Sequence, residues 1–387
     1  MAELCIIKIL TLFLVMVVII SHNCNGLRNI DNFKNYVAYI TEKRYSICLL
    51  QETFWTDDFV NSISHLYDGK IITCNSGTNR QGVAVLISNY MKDKVKFVYK
   101  DEYGRFLHVT YEEDDKIFNL ISLYAPNDYK ERDVFFNFIK NYVKELDNII
   151  IGGDYNHSLS TLDRCNKTGH IEDNAYRTLV ETMNANNLYD VWRARNRNVK
   201  QYSFKRICNG ILQQSRIDYF LISYSLSAYV QSLYYNDTSL SDHSFVVINF
   251  NINNVERGPG LWILNNTLLY DEEYVQNVRK IIEEEKQCPL FTREILVWWD
   301  NLKFKIKKYS QVYSKRKAKE KHREHFYLQN KFRKLSQDYA EGKQIDITVF
   351  ENLRAELSTY ESGICKGAVL RSKAKWAVDS DCNSKYI

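Results

Sequence analysis

Between residues 15 and 250 the chain repeats one device: a short apolar run that stops on polar residues a buried strand would not choose. The runs are VVIIS (17–21), ICLLQE (47–52), KIITC (70–74), GVAVLIS (82–88), FLHVTYE (106–112), FNLISLYAP (118–126), NIIIGGDYN (148–156), IDYFLIS (217–223) and FVVINF (245–250). Their lengths and β-branched content predict strands. Helices are predicted between them at 31–44, at 131–146, where apolar residues recur at i, i+3 and i+4, and at 172–187. Strands alternating with helices predict a layered α/β domain over residues 15–254. Beyond it, 267–286 and 291–360 read as charged helix without strand runs, and Gly258-Pro259-Gly260 marks the break. The expected organisation is therefore a short apolar extension (1–14), the α/β domain (15–254) and a mainly helical, basic region (255–387).

The polar residues at the run ends form a usable set. Asn23 and Asn25 follow the first run, Gln51 and Glu52 the second, and Tyr124 ends NLISL. Asp154 and Asn156 follow NIIIGG, Asp218 opens the run at 217–223, and Asp242 and His243 precede FVVINF. Strand ends deliver side chains from a rigid sheet into a groove. Glu52 with Asn25 offers oxygen ligands for a hard divalent ion, which for Mg²⁺ takes only one or two carboxylates and keeps waters and substrate phosphate. His243 beside Asp218 holds a fixed tautomer and can donate to a phosphoryl oxygen. Asp154 with Asn156 can orient and deprotonate a water. Together these residues predict phosphoester hydrolysis by a metal-assisted, in-line route. Each piece alone has an ordinary explanation: an Asp-His dipeptide is usually surface, a strand-end Glu a solvated edge, a lone Tyr packing. The ordered combination carries the reading.

Composition excludes other classes. Apolar residues are 45% and charged residues 26%, so the chain can bury a real core. Charge is uneven: residues 1–254 hold 27 Lys and Arg against 28 Asp and Glu, whereas 255–387 hold 25 against 19. The nine cysteines show no C-x-x-C spacing, which argues against a zinc site and fits reduced thiols. Residues 5–20, CIIKILTLFLVMVVII, admit two readings. As an h-region they predict a membrane-anchored or secreted protein. As a strand from Val15 to Ile20 they predict a nuclear or cytoplasmic one, the preferred reading, since no small-x-small cleavage site follows and cleavage would remove the strand that delivers Asn23.

The segments SHNCNGL (21–27), LLQET (49–53), LYAPN (123–127), IGGDYN (151–156), SRIDYFL (215–221) and LSDHSFVV (240–247) resemble the endonuclease/exonuclease/phosphatase superfamily in order and spacing. The resemblance implies a four-layered α/β sandwich and Mg²⁺, with Mn²⁺ as an alternative. It implies that Asn23 positions the phosphate, Glu52 binds the metal with Asp242 on the metal side, and Tyr124 donates to phosphate. It further implies that Asp154 activates water, Asn156 aids the transition state and Asp218 supports His243. Asn25 stands where repair-type members often carry Asp.

Ser160-Thr161-Leu162-Asp163-Arg164 and QYSF (201–204) resemble the endonuclease domain of LINE-type non-LTR retrotransposons, implying DNA contacts at Arg164 and Ser203. The region beyond 258 resembles the linker toward a reverse transcriptase, whose Asp-Asp motif is not present, so a truncated retroelement product is expected. Residues 301–323 carry ten Lys and Arg against Glu320 alone, a stretch that includes Lys315, Arg316 and Lys317. Such a run is either a solvated helix face or a phosphate-binding arm for DNA, and also for RNA. The expected activity is nicking of duplex DNA. The alternatives are an abasic-site endonuclease with 3′ exonuclease activity, a phospholipid or inositol phosphodiesterase, and a non-catalytic nucleic-acid-binding remnant.

Overall fold

A computed structural model describes residues 15–77, 80–165, 170–253, 264 and 266–380. In chain order the strands are β1 (Val15–Asn23), β2 (Ile47–Gln51), β3 (Lys70–Cys74), β4 (Val83–Ile87), β5 (Val95–Lys100), β6 (Phe106–Glu113), β7 (Lys116–Tyr124), β8 (Ile149–Asp154), β9 (Leu188–Asp190), β10 (Phe204–Cys208), β11 (Ile211–Ser215), β12 (Asp218–Ser223), β13 (Val230–Asn236) and β14 (Phe245–Asn253). The helices are α1 (Ile30–Glu42), α2 (Asp57–Ile63), α3 (Tyr129–Tyr142), α4 (Asn174–Ala185), α5 (Val191–Arg195), α6 (Glu272–Lys286), α7 (Leu290–Arg293), α8 (Ile295–Ala340) and α9 (Ile347–Ser380).

Two mixed sheets face each other, ordered β13-β14-β1-β2-β4-β3 and β5-β6-β7-β8-β12-β9, with β10-β11 as a separate hairpin. The central strands are apolar on both faces because both faces are covered. Along β2, Ile47 and Leu49 enter the inter-sheet core with Val85, Leu120, Ile150, Phe220 and Ile248. Cys48 and Leu50 point the other way, against Phe33, Tyr36, Tyr39 and Ile40 of α1. The second sheet does the same: Ile149 and Ile151 pack on Phe135, Phe136 and Ile139 of α3 and Leu179 of α4. Helix, sheet, sheet, helix is the expected four-layered sandwich, and a helical C-terminal region follows it.

Helix starts obey ordinary capping. Asn29 accepts the Asp31 and Asn32 amides to open α1, and Asp128 accepts those of Lys130 and Glu131 to open α3. Register then gathers the strand ends. β1 runs parallel to β2, with Asn23 beside Gln51, and β7 runs parallel to β8, with Tyr124 beside Asp154. β12 is antiparallel to β8, setting Asp218 opposite Asp154, and β14 is antiparallel to β1, setting Val246 opposite Ser21.

The anchor reading of residues 5–20 is corrected. Val15–Asn23 form a central strand bonded on both edges, and among the described residues no helix is long and apolar enough to cross a membrane. Residues 5–14 lie outside the described residues, as does the Gly258-Pro259-Gly260 break.

The double glycine in IGGDYN has a packing cause. A Cβ on Gly152 would lie 2.4 Å from the Phe220 ring, and one on Gly153 would lie 2.1 Å from the Leu123 carbonyl oxygen. The second contact is with backbone, which cannot swing away. Gly153→Ala is therefore expected to lose about 1–3 kcal/mol or more of stability in urea unfolding. Gly363→Ala, in the open on α9, is expected to be neutral or mildly stabilising in the same measurement.

Candidate active site

The parallel pairs β1/β2 and β7/β8 end side by side, so four polar termini meet at one end of the sandwich. Asn23 is the link between the sheets. Its amide donates to Glu52 Oε1 at 2.8 Å and to Asp154 Oδ2 at 2.9 Å, and its oxygen accepts the Asn25 amide at 2.9 Å. Chain reversal after the strands puts Asn25, Glu52 and Asn156 at φ values of 45°, 49° and 48°. None is glycine, and a left-handed residue with a side chain costs roughly 1 kcal/mol or more. Asn156 holds its turn by donating to the Ala125 carbonyl at 2.7 Å, while its backbone N–H donates to Asp154 Oδ1 at 2.8 Å.

Asp154 is 1% exposed. Burial, then the nearby Asp218 charge, push its carboxyl up to about 7, against the lowering effects of His243 and the amides of Asn156 and Asn23. Asp218 is fully buried, and its Oδ2 takes His243 Nδ1 at 2.8 Å. Burial alone would push His243 down, but the Asp218 charge and hydrogen bond outweigh it. With Asp154 and Asp242 adding, the imidazole rises to about 10. His243 is thus an imidazolium at neutral pH with Nδ1 spent on Asp218. Tyr124 is held well above the ordinary phenol range by burial and by the Glu52 and Asp154 charges, so it stays a donor. Asp242, half-exposed, accepts the Asn25 amide at 3.0 Å.

Asp154, Asp218 and His243 offer donor atoms within 4.8 Å of one another, a spacing that can hold a metal. His243 already spends Nδ1 on Asp218, which leaves Nε2 alone to offer an ion. The oxygen donors on the other side of Asn23, Glu52 above all, with Asn25 and Asp242 close by, suit a hard divalent ion.

The remaining sequence-selected residues fall elsewhere. Ser203 is fully buried, and its hydroxyl accepts the Ile217 and Asp218 amides, each at 3.0 Å. Arg164 is half-buried, donating from Nε to Ser158 Oγ at 3.1 Å. Lys315 is exposed on α8, whereas Arg316 pairs with Glu273 and Lys317 with Asp271 at 3.2 Å. Sequence reasoning passed over Arg216, although it stands in the SRIDYFL segment. It is fully buried and donates to Asp163 at 2.7 and 2.9 Å and to Asp190 at 2.6 Å. The available signal was an arginine inside a run otherwise fit for a core.

The chain is similar to several known proteins. A protein from Xenopus laevis, the transposon TX1 uncharacterized 149 kDa protein, is 28% identical over 370 residues, which is 94% of this chain and 28% of that protein. The chain therefore spans 28% of the relative's length. The AP endonuclease LMAP from Leishmania major superposes with a TM-score of 0.55 at 19% identity, covering 62% of this chain and 88% of that one, a likeness of fold. The endonuclease domain of TRAS1, a telomere-specific non-LTR retrotransposon, gives 0.48 at 15% identity, over 61% of this chain and 99% of that one. The sequence pattern of the endonuclease/exonuclease/phosphatase family matches residues 20–243, and with the sandwich and its site in place the chain belongs to that family.

Proposed function

We propose that this chain is a divalent-metal-dependent phosphodiesterase that nicks duplex DNA, and that it derives from a retroelement. The observation that carries the chemistry is the Asp154–Asn23–Glu52 chain of hydrogen bonds beside the Asp218–His243 pair. The similarity to the TX1 transposon protein along nearly the whole chain supports the origin.

Each residue has a task that its surroundings permit. Asp154, poised near neutrality, accepts the proton of the attacking water. Asn156 and Asn23 hold its two oxygens in place. His243 turns Nε2 to a phosphoryl oxygen while Asp218 fixes the ring, and Tyr124 donates from the opposite side. Glu52, with Asn25 and Asp242 nearby, would hold Mg²⁺ or Mn²⁺, which would supply Lewis-acid stabilisation of charge on the phosphate.

For the substrate we assign catalysis to residues 15–254, with a DNA contact at Arg164, and further nucleic-acid contacts to the basic face of α8 within 255–387. Arg164 and Lys315 are the proposed DNA phosphate contacts. Arg316 and Lys317 join them only by releasing Glu273 and Asp271. Phe304, exposed among lysines, suits stacking on single strands, RNA included. Ser203 acts indirectly, by fixing the start of β12.

Supercoiled plasmid tests the proposal. Conversion to open circles is expected with Mg²⁺, none with EDTA, and a loss of about 10²–10⁴-fold in rate for Asp154→Ala. Folded protein that leaves the plasmid closed, or a variant as fast as the parent, would reject it. The pH profile supplies a second check. The base must be ionised, so the rate is expected to rise through about pH 7 with Asp154. The donor must be protonated, so it is expected to fall as pH passes about 10 with His243. A profile flat from pH 5.5 to 8 would remove Asp154 from the role of base.

A further inference from the structure

The helical region grips the segment that delivers Asp242 and His243. Gln329 of α8 donates to the Asp237 carbonyl at 2.9 Å and also bonds Asn236. Glu361 of α9 receives three donors on one oxygen: Thr238 Oγ1 at 3.0 Å, the Ser239 N–H at 2.8 Å and Ser239 Oγ at 2.7 Å. Arg354, also on α9, donates to the Ser241 carbonyl at 3.0 Å. Residues 237, 238, 239 and 241 are thus held by side chains that lie about a hundred residues further along the chain.

The grip passes directly to the site. Ser241 Oγ accepts the His243 N–H at 3.1 Å and donates to Asp242 Oδ1 at 3.4 Å. The Asp242 carbonyl accepts the Lys205 N–H at 2.9 Å, and Lys205 belongs to the β10–β11 hairpin. That hairpin is held by the same helices. Leu212 is buried among Phe332, Phe350 and Leu353, and Gln214 exchanges hydrogen bonds with Ser336 at 2.7 and 2.8 Å. Glu361 is 1% exposed; burial pushes its carboxyl up, the loop's donors oppose that rise, and all three reach Oε2 while Oε1 is buried without a hydrogen bond.

We propose that Glu361 is a positioning residue for the Asp242–His243 segment, with Arg354 and Gln329 completing the grip. The helical region is then a working part of the site rather than an appended arm. This rests on the reading of His243 as the group that acts on phosphate.

The experiment uses the full chain and the variants Glu361→Ala, Glu361→Gln and Arg354→Ala, with amide hydrogen exchange and steady-state nicking of supercoiled plasmid in Mg²⁺. For Glu361→Ala, the Ser239 and His243 amides are expected to exchange about tenfold faster or more, with β8 and β12 unchanged. The nicking kcat is expected to fall about tenfold or more with KM little changed, because a displaced donor costs the chemical step rather than DNA binding. Glu361→Gln should recover most of both, since its amide oxygen can accept the same donors. Arg354→Ala reports the same loop from the Ser241 carbonyl and stands in if Glu361→Ala does not fold. Unchanged exchange at residues 239–243 overturns the proposal whether or not the parent nicks DNA. So does faster exchange spread evenly over the sandwich, which is a plain loss of stability. A parent that fails to nick while the loop responds as expected refutes the nuclease reading and upholds the grip.

Discussion

Two buried carboxyl groups and one buried imidazole lie side by side, and the rest of the site is arranged around them. Burial first, and then repulsion from the nearby Asp218, push the Asp154 carboxyl up to about 7. The His243 ring, bonded to Asp218, opposes that rise. Its charge reaches further: His22, buried behind it and stacked on Phe245 at 3.9 Å, is pushed down to about 3 by burial and by that charge. A neutral His22 then bonds Tyr36 at 3.0 Å and serves as core. The two rings are pushed in opposite directions, His243 up chiefly by its Asp218 contact and His22 down chiefly by burial.

Such a triad holds only if its backbone cannot drift. Arg216 stands two residues before Asp218 and binds Asp163 and Asp190, residues from opposite sides of α4 in the chain. Ser203 caps the same strand start by accepting two successive amides. Between the sheets, Gln51 takes the Ser21 hydroxyl at 3.3 Å and donates to Ser122 at 3.1 Å, tying β1, β2 and β7 just beneath the reactive ends. These buried polar groups are mutually satisfied, so they fix geometry at small net cost.

What the sequence disclosed follows from burial. β1, β2, β4, β7, β8, β12 and β14 are covered on both faces or nearly so, and their apolar runs predict them to within a few residues. β5 was invisible because five of its six residues face solvent, and β9, β10, β11 and β13 are short, edge or hairpin strands with no clean alternation. The site residues were legible because a polar side chain is anomalous at the end of an apolar run. Their partners were not, since pairing depends on register. Ser203 looked like a surface contact in QYSF and instead turns inward to the β12 amides. The basic run of α8 was counted by charge alone, yet α6 comes back alongside it and Glu273 and Asp271 neutralise Arg316 and Lys317. Glu361 and Arg354 carried no local signal whatever, being ordinary charged residues on a charged helix.

The placement of α9 has a backbone cause. Residues 237–241 cross the open end of the first sheet between β13 and β14, where no neighbouring strand continues the ladder. Asp237, Thr238 and Ser241 are buried there, and buried N–H and C=O groups require partners. Lys205 and Ser244 of the sandwich hold the Asp237 carboxylate, but the Asp237 carbonyl finds its partner on α8, and the Ser239 amide and the Ser241 carbonyl find theirs on α9. Cys365 binding the Asn35 carbonyl at 3.2 Å, one helical turn beyond Glu361, seats the same helix against α1. α9 thus packs on α1 and supplies partners to the segment between β13 and β14, so the charged helix that follows the strands in the sequence lies against the sandwich.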